Sequence, residues 1–446
     1  MTRHLPADAP PPGCPAHNRT ALHGPAFAAD PAGTYAALRE HGHIAPVELA
    51  PGVPASLVVG YRTALQVLRD PTTFPRDPRR WQDGVPPDSP ALGVMRYRPN
   101  CMFADGAEHA RLRGAITTCL ERVDRTALRA DTVRVADGLI DGFAGTGRVD
   151  LLAHYARPLM FILFTNLFGC PPQLSERLAT NTKALFDGCD PEAADRALNA
   201  TLQELVELKR RRPGHDLVTR LLAADLSDEE LRQTVLVLMG GGSEPTADLI
   251  ANALYRMLSD DGLGGGLSSG VVRVDDAVDE VLWVDPPMAN YSTFYPREAV
   301  ALAGVLLPAD QPVVISMAAA NTDPSLNPAH RTGNRSHLAF SAGPHACPAP
   351  DLARLLGATA VERVLDRLPG LGLDGGAGPV RWRESPFSRG LLALPARFTP
   401  VRVPVPDPVA PEVVPPAAPV PPSPVTGEVG VRSRSRNPVV RWWHGR

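Results

Sequence analysis

The chain has 446 residues, 44% hydrophobic and 21% charged, with a formal net charge of −3. That balance argues against a nucleic-acid-coating protein and against an acidic solvating chain. The strongest apolar run, Leu159–Phe164, is far too short to span a bilayer, so no membrane insertion is expected.

Six cysteines are spread along the chain with no C-x-x-C pair, which is neither a disulfide framework nor a zinc site. The Pro-rich N-terminus lacks the continuous apolar centre of a signal peptide. Both features lead to the expectation of a reducing, cytoplasmic location. The length allows two or three domains, or one large core.

In chain order, residues 1–20 are read as a flexible segment. Asp30-Pro31 opens a helix through Leu38, and Tyr61–Leu68 forms another. Apolar runs at Ile44–Leu49 and Ser56–Val59 predict an early sheet. Helical patterning then continues from about Ala107 to Leu258. Ser227 with Glu230 three residues later is a capping-box pattern, and it introduces a long helix. From Asp228 to Leu258 that helix would run about 46 Å, the width of a large domain. Val300–Leu307 and Gln311–Met317 flank Pro308-Ala309-Asp310 in a hairpin-like arrangement. The fold class is therefore mainly α with small β-sheets.

Proline stands at 49 residues, and eleven of them fall between Pro400 and Pro424. Such a segment favours extended polyproline II and cannot bury a core. The reading is a folded domain over residues 21–403 and a Pro/Arg-rich disordered tail over residues 404–446. Within the tail, Arg432, Arg434, Arg436, Arg441 and Arg446 lie near Trp442 and Trp443.

The most informative stretch is Phe340-Ser341-Ala342-Gly343-Pro344-His345-Ala346-Cys347. Glycine and prolines make residues 343–350 a loop, and a helix follows with Val361, Val364, Leu365 and Leu368 at helical spacing. Cys347 thus lies just before a helix N-terminus, where backbone N–H groups and the dipole favour a thiolate. These features alone suit a nucleophile and a metal ligand equally well. The other cysteines in the helical region, Cys101, Cys119, Cys170 and Cys189, are read as buried and inert.

The pattern Phe-x-x-Gly-x-His-x-Cys-x-x-x-x-Leu-Ala-Arg, ending at Arg354, resembles the haem-binding signature of the cytochrome P-450 superfamily, particularly its soluble bacterial and actinomycete members. Ala28–Gly42, Ala318–Pro324 and Ser385–Pro395 resemble the family's first helix, its Ala-Asn-Arg-Asp-Pro segment and its closing strands. The resemblance implies the family fold, with a long central helix over the haem, and makes Cys347 the proximal thiolate ligand of haem iron. It also implies haem b, iron protoporphyrin IX, as cofactor. Phe340 and Gly343 then belong to the cofactor-binding loop. His109 and Arg113, at i and i+4, resemble the family's His-x-x-x-Arg motif that contacts a propionate, a role whose physical basis is bidentate arginine–carboxylate pairing. His345 is expected at the second propionate.

Three departures stand out. The family's Ala/Gly-Gly-x-Asp/Glu-Thr becomes Gly241-Gly242-Ser243-Glu244-Pro245-Thr246. Its acid and hydroxyl normally serve proton delivery. Glu244 keeps the acid, but Thr246 lies about 100° further around the helix. Pro245 removes the donor for the Gly241 carbonyl and predicts a distortion. The family's Glu-x-x-Arg is Glu280-Val281-Leu282-Trp283, and the indole N–H is expected to donate to Glu280, with His330, Arg331 or Arg335 as further partners. Thr293 stands where many relatives have a propionate-binding arginine, and Ala349 replaces a glycine.

The resemblance implies a haem-thiolate monooxygenase that inserts one oxygen atom from O₂ into a small, apolar organic substrate. Electrons would come from a ferredoxin and its reductase, and Glu244 and Thr246 would be the catalytic pair. Substrate contacts are expected from Phe74–Cys101, Phe186–Asp190, Val235–Met239 and Met288–Tyr295, and Arg354 is a candidate for facing an acidic electron donor. Two alternatives remain: a peroxide-driven haem oxygenase, and a haem-binding regulatory protein without turnover.

Overall fold

The computed structural model describes residues 19–402, apart from 88, 90, 188–190, 269–271, 328–330 and 332. The expected N-terminal segment, apart from its last two residues, and the expected tail lie outside the described residues. So does His330.

The central helix spans Asp228–Ser259. Its start follows from reciprocal bonds: Glu230 N–H donates to Ser227 Oγ at 3.3 Å, and Ser227 N–H donates to the Glu230 carboxylate at 2.8 Å. The helix runs unbroken through Pro245, so the expected distortion does not divide it. Helices Arg125–Asp141, Arg157–Leu167, Val274–Val284 and Pro350–Arg367 surround its C-terminal half. Together they share one core that includes Leu139, Leu159, Ile250, Leu254, Val281 and Val361. Tyr155 is fully buried there and stays satisfied by donating to the Ala360 carbonyl at 2.6 Å.

The early sheet forms where the apolar runs predict it. Strands Ile44–Ala50 and Val53–Val58 pair antiparallel, and Val313–Ile315 and Ser292–Phe294 extend the sheet. The helices beside it are Pro31–Arg39 and Tyr61–Arg69. The first is capped by Asp30, whose carboxylate accepts from Gly33 N–H at 2.8 Å.

Two expectations need correction. The hairpin lies within Val300–Leu307, with strands Val300–Leu302 and Val305–Leu307 joined at Ala303-Gly304, while Val313–Ile315 belongs to the larger sheet. Ala303 and Gly304 both take positive φ, 49° and 80°, as a tight two-residue hairpin turn requires. The expected closing strands reduce to Pro395–Arg397, paired with Arg148–Asp150 and Gly372–Leu373, plus a bridge between Trp382 and Leu391. Pro386 and Pro395 cannot donate to a longer ladder.

Ser227→Ala removes the cap of the longest helix. It should lower the apparent unfolding free energy by about 1 kcal/mol, read from urea titration of the holoprotein. An unchanged midpoint would show that the helix start is held by packing alone.

Candidate haem site

The Cys347 loop begins at a 3-10 turn, Leu338–Phe340, and ends at the N-terminus of helix Pro350–Arg367. Cys347 N–H donates to the Phe340 carbonyl at 2.8 Å, and Ala349 N–H points at Cys347 Sγ from 3.4 Å. Burial pushes the thiol pKa up, while the Ala349 N–H and the Arg113 charge pull it down. A bound cation would be needed to hold the thiolate outright. Gly343 has φ +69°, and a Cβ there would meet the Leu68 carbonyl oxygen at 2.0 Å, so only glycine fits this close approach. Ala349, in contrast, sits at φ −136° and tolerates the side chain that replaces glycine.

Helix Gly106–Glu121 brings His109 and Arg113 to this loop. The His109 and His345 rings lie 4.0 Å apart, and Arg113 donates to the Ala346 carbonyl. Burial and the neighbouring cations push His109 down to about 4, so it is neutral at pH 7. His345 Nε2 faces Asp105 Oδ1 at 3.5 Å. Arg76, which sequence reading missed, is also buried near these groups, and burial pulls it down to about 10, still cationic at neutral pH. His109 Nε2, His345 Nε2 and Arg76 Nε all lack a hydrogen-bond partner. The carboxylate beside them, Asp105, also has an oxygen, Oδ1, without a hydrogen-bond partner among the described residues.

Glu244 and Thr246 lie in a different set of contacts. Glu244 is held by Arg157 at 3.3 Å and Arg383 at 3.0 Å, and Arg383 also donates to Asp248 at 2.9 Å. The Thr246 hydroxyl donates to the Gly242 carbonyl at 2.7 Å and turns back along its own helix. Gly242 allows a close approach, since a Cβ would come 2.3 Å from the Phe164 ring. Arg157, Arg383 and Asp248 carry no local motif, and only an acid at i+4 from Glu244 hinted at Asp248.

The Glu280–Trp283 expectation is overturned in part. The indole N–H donates to the Asn334 carbonyl at 2.8 Å, not to Glu280, and Arg331 approaches Glu280 at 3.7 Å. Arg335 pairs with Asp279 at 3.3 Å. Arg354 turns inward and makes two bonds to buried Asp279, at 2.7 and 2.6 Å, so it does not face an electron donor. The fork of guanidinium matched to carboxylate explains why an arginine ends the signature here. His337 packs edge-on to Trp283 at 5.6 Å and beside Phe340 at 5.7 Å.

A cavity is lined by Arg76, Val94, Met95, Met102, Phe103, Tyr291, Thr293, Tyr295 and Phe387. Two of the expected substrate segments contribute to it, while Met102, Phe103 and Phe387 were not foreseen. Val235 instead packs in a separate core with Leu202 and Leu221. The side chains of Phe186–Asp190 lie outside the described residues.

No family model matches the chain. It is 34% identical to the cytochrome P-450 monooxygenase PikC of Streptomyces venezuelae, over 84% of this chain and 92% of that one. Cytochrome P-450 107B1 of Saccharopolyspora erythraea is 32% identical, over 83% and 96%. The chain therefore belongs to the cytochrome P-450 family and is a monooxygenase of that family. Among solved structures, myxobacterial CYP267B1 in complex with myristic acid superposes with a TM-score of 0.76 at 29% identity, over 84% of this chain and 98% of that one. CYP154A1 from Streptomyces coelicolor A3(2) gives 0.76 at 27% identity, over 85% and 100%. Among the described residues no helix is long and apolar enough to cross a membrane.

Family membership implies haem, and the residues present fit it. Unpartnered buried donors on His109, His345 and Arg76 need acceptors such as two propionates would bring. A sulfur at the end of a tight loop is a suitable axial ligand.

Asp248 is buried, and burial lifts its pKa from 3.8 to about 7. Between those values the folded protein keeps a proton that the unfolded chain releases. The group's stabilising contribution is thus full below pH 3.8 and lost as pH rises through 7. Asp248→Asn should gain stability relative to wild type as pH is raised from 4 to 8, read from thermal melts. A shift that is constant with pH would count against the assignment.

Proposed function

We propose that this monooxygenase uses haem b to insert one oxygen atom from O₂ into a small, largely apolar organic molecule. Electrons would come from a ferredoxin and ferredoxin reductase, in the cytoplasm. The observation that carries the reading is Cys347, held by its loop at a helix N-terminus beside a cluster of buried, unsatisfied donors. The part of the cavity lined by Met95, Met102, Phe103 and Phe387 supports an apolar substrate, with Arg76 and Thr293 at its polar end.

In this reading Cys347 would hold the haem iron through its thiolate, and Phe340 and Gly343 would shape its loop. His109, Arg113 and His345 bind the propionates by charge-assisted hydrogen bonds. When bound, thiolate-ligated haem supplies the oxygen-activating chemistry. The chain's own task is then proton supply. Glu244 moves protons while Arg157 and Arg383 orient its carboxylate. Water on the Gly241 carbonyl, which Pro245 leaves without its helical donor, carries them onward. Thr246 keeps its hydroxyl on the Gly242 carbonyl and serves as a secondary group.

That same commitment of Thr246 favours a second reading, in which hydrogen peroxide brings oxygen already reduced by two electrons. The two readings separate cleanly: product formation with O₂ and a ferredoxin system supports the first, and turnover with peroxide alone supports the second.

The reduced, carbon monoxide-bound spectrum should show a thiolate-type Soret band that Cys347→Ser abolishes. A well-folded, haem-loaded wild type without that band would falsify the ligand assignment. Glu244→Gln should lower kcat roughly 10²-fold, within the usual range for a lost acid–base group, with haem content unchanged and a larger solvent isotope effect. An unaltered kcat would remove Glu244 from proton delivery.

A further inference from the structure

Arg76 is 8% exposed, and its Nε has no partner. Among the described residues the guanidinium's one hydrogen bond is long, from Nη2 to Ser292 Oγ at 3.4 Å. Ser292 Oγ lies 3.4 Å from Ser341 Oγ, in the Cys347 loop itself. The guanidinium also stacks 4.3 Å over the Phe294 ring, so the residues on both sides of Thr293 hold it. Asp105 accepts from the Arg76 backbone N–H at 2.7 Å through Oδ2, while its Oδ1 faces His345 Nε2 at 3.5 Å; no ion pair joins either oxygen to the Arg76 guanidinium among the described residues. A buried guanidinium with this few partners is costly unless an anion completes it.

We infer that Arg76 binds a haem propionate and takes the place of the strand arginine that Thr293 replaces. The inference rests on the haem-binding reading above. Arg76 and Thr293 line the same cavity, so an arginine can reach this spot from the segment after Phe74 as well as from the strand. The Phe294 ring, 4.3 Å from the guanidinium carbon, holds it on one side, and Ser292 steadies one end. The free edge of the guanidinium is left for a carboxylate. This is a binding role with no part in proton transfer.

Haem transfer from the ferric holoenzyme to excess apomyoglobin, in the absence of substrate, tests this directly. Arg76→Met should release haem at least about tenfold faster than wild type. Arg76→Lys, which keeps the charge but not the fork, should fall between. Thr293→Arg added to Arg76→Met should recover most of the retention. Release from both single variants within about twofold of wild type would overturn the assignment, as would failure of Thr293→Arg to slow the loss. A carboxylate-bearing substrate is the other possible source of an anion for Arg76. It predicts unchanged haem release with weakened substrate binding, which also overturns the inference. If Arg76→Met fails to fold, Arg76→Lys alone decides. Wild type that takes up no haem would instead sink the underlying haem reading.

Discussion

Charge held in a dry place governs this site. Cys347 sits where burial opposes a thiolate, and beside the same loop His109, His345 and Arg76 keep buried nitrogens that have no hydrogen-bond partner among the described residues. Neither half is comfortable alone. An anionic, metal-bearing group placed between them would relieve both, since a metal stabilises the sulfur anion and carboxylates answer the donors.

The same logic explains how the chain lives with Trp283. An arginine at that position would bring a charge needing its own partner. The indole brings one N–H, and the Asn334 carbonyl takes it. The ionic tie between helices moves one residue back, to the buried Asp279–Arg354 pair. Buried pairs of this kind fix geometry more than they add stability, and here the pair ties the Cys347 helix to the helix Val274–Val284.

On the central helix, Pro245 does not interrupt the helix, and Thr246 keeps its hydroxyl on the Gly242 carbonyl. Glu244 is clamped by two arginines, and Arg383 connects it to Asp248. The acid is therefore part of a small charged network of Arg157, Arg383 and Asp248. In a low-dielectric setting such a network responds as a unit.

The sequence alone determined what depends on neighbours along the chain. It placed the central helix through its cap, the early sheet through short apolar runs, and Cys347 at the mouth of a helix through the proline and glycine around it. It placed His109 and Arg113 on one face because helical spacing dictates that. Partners from remote segments were decided only by tertiary structure. Arg383 meets Glu244 across 139 positions and Arg354 meets Asp279 across 75. Arg76 reaches Ser292 across 216. Such contacts leave no periodic trace, because an arginine's long side chain can find its carboxylate, or lack one, only after the elements have packed.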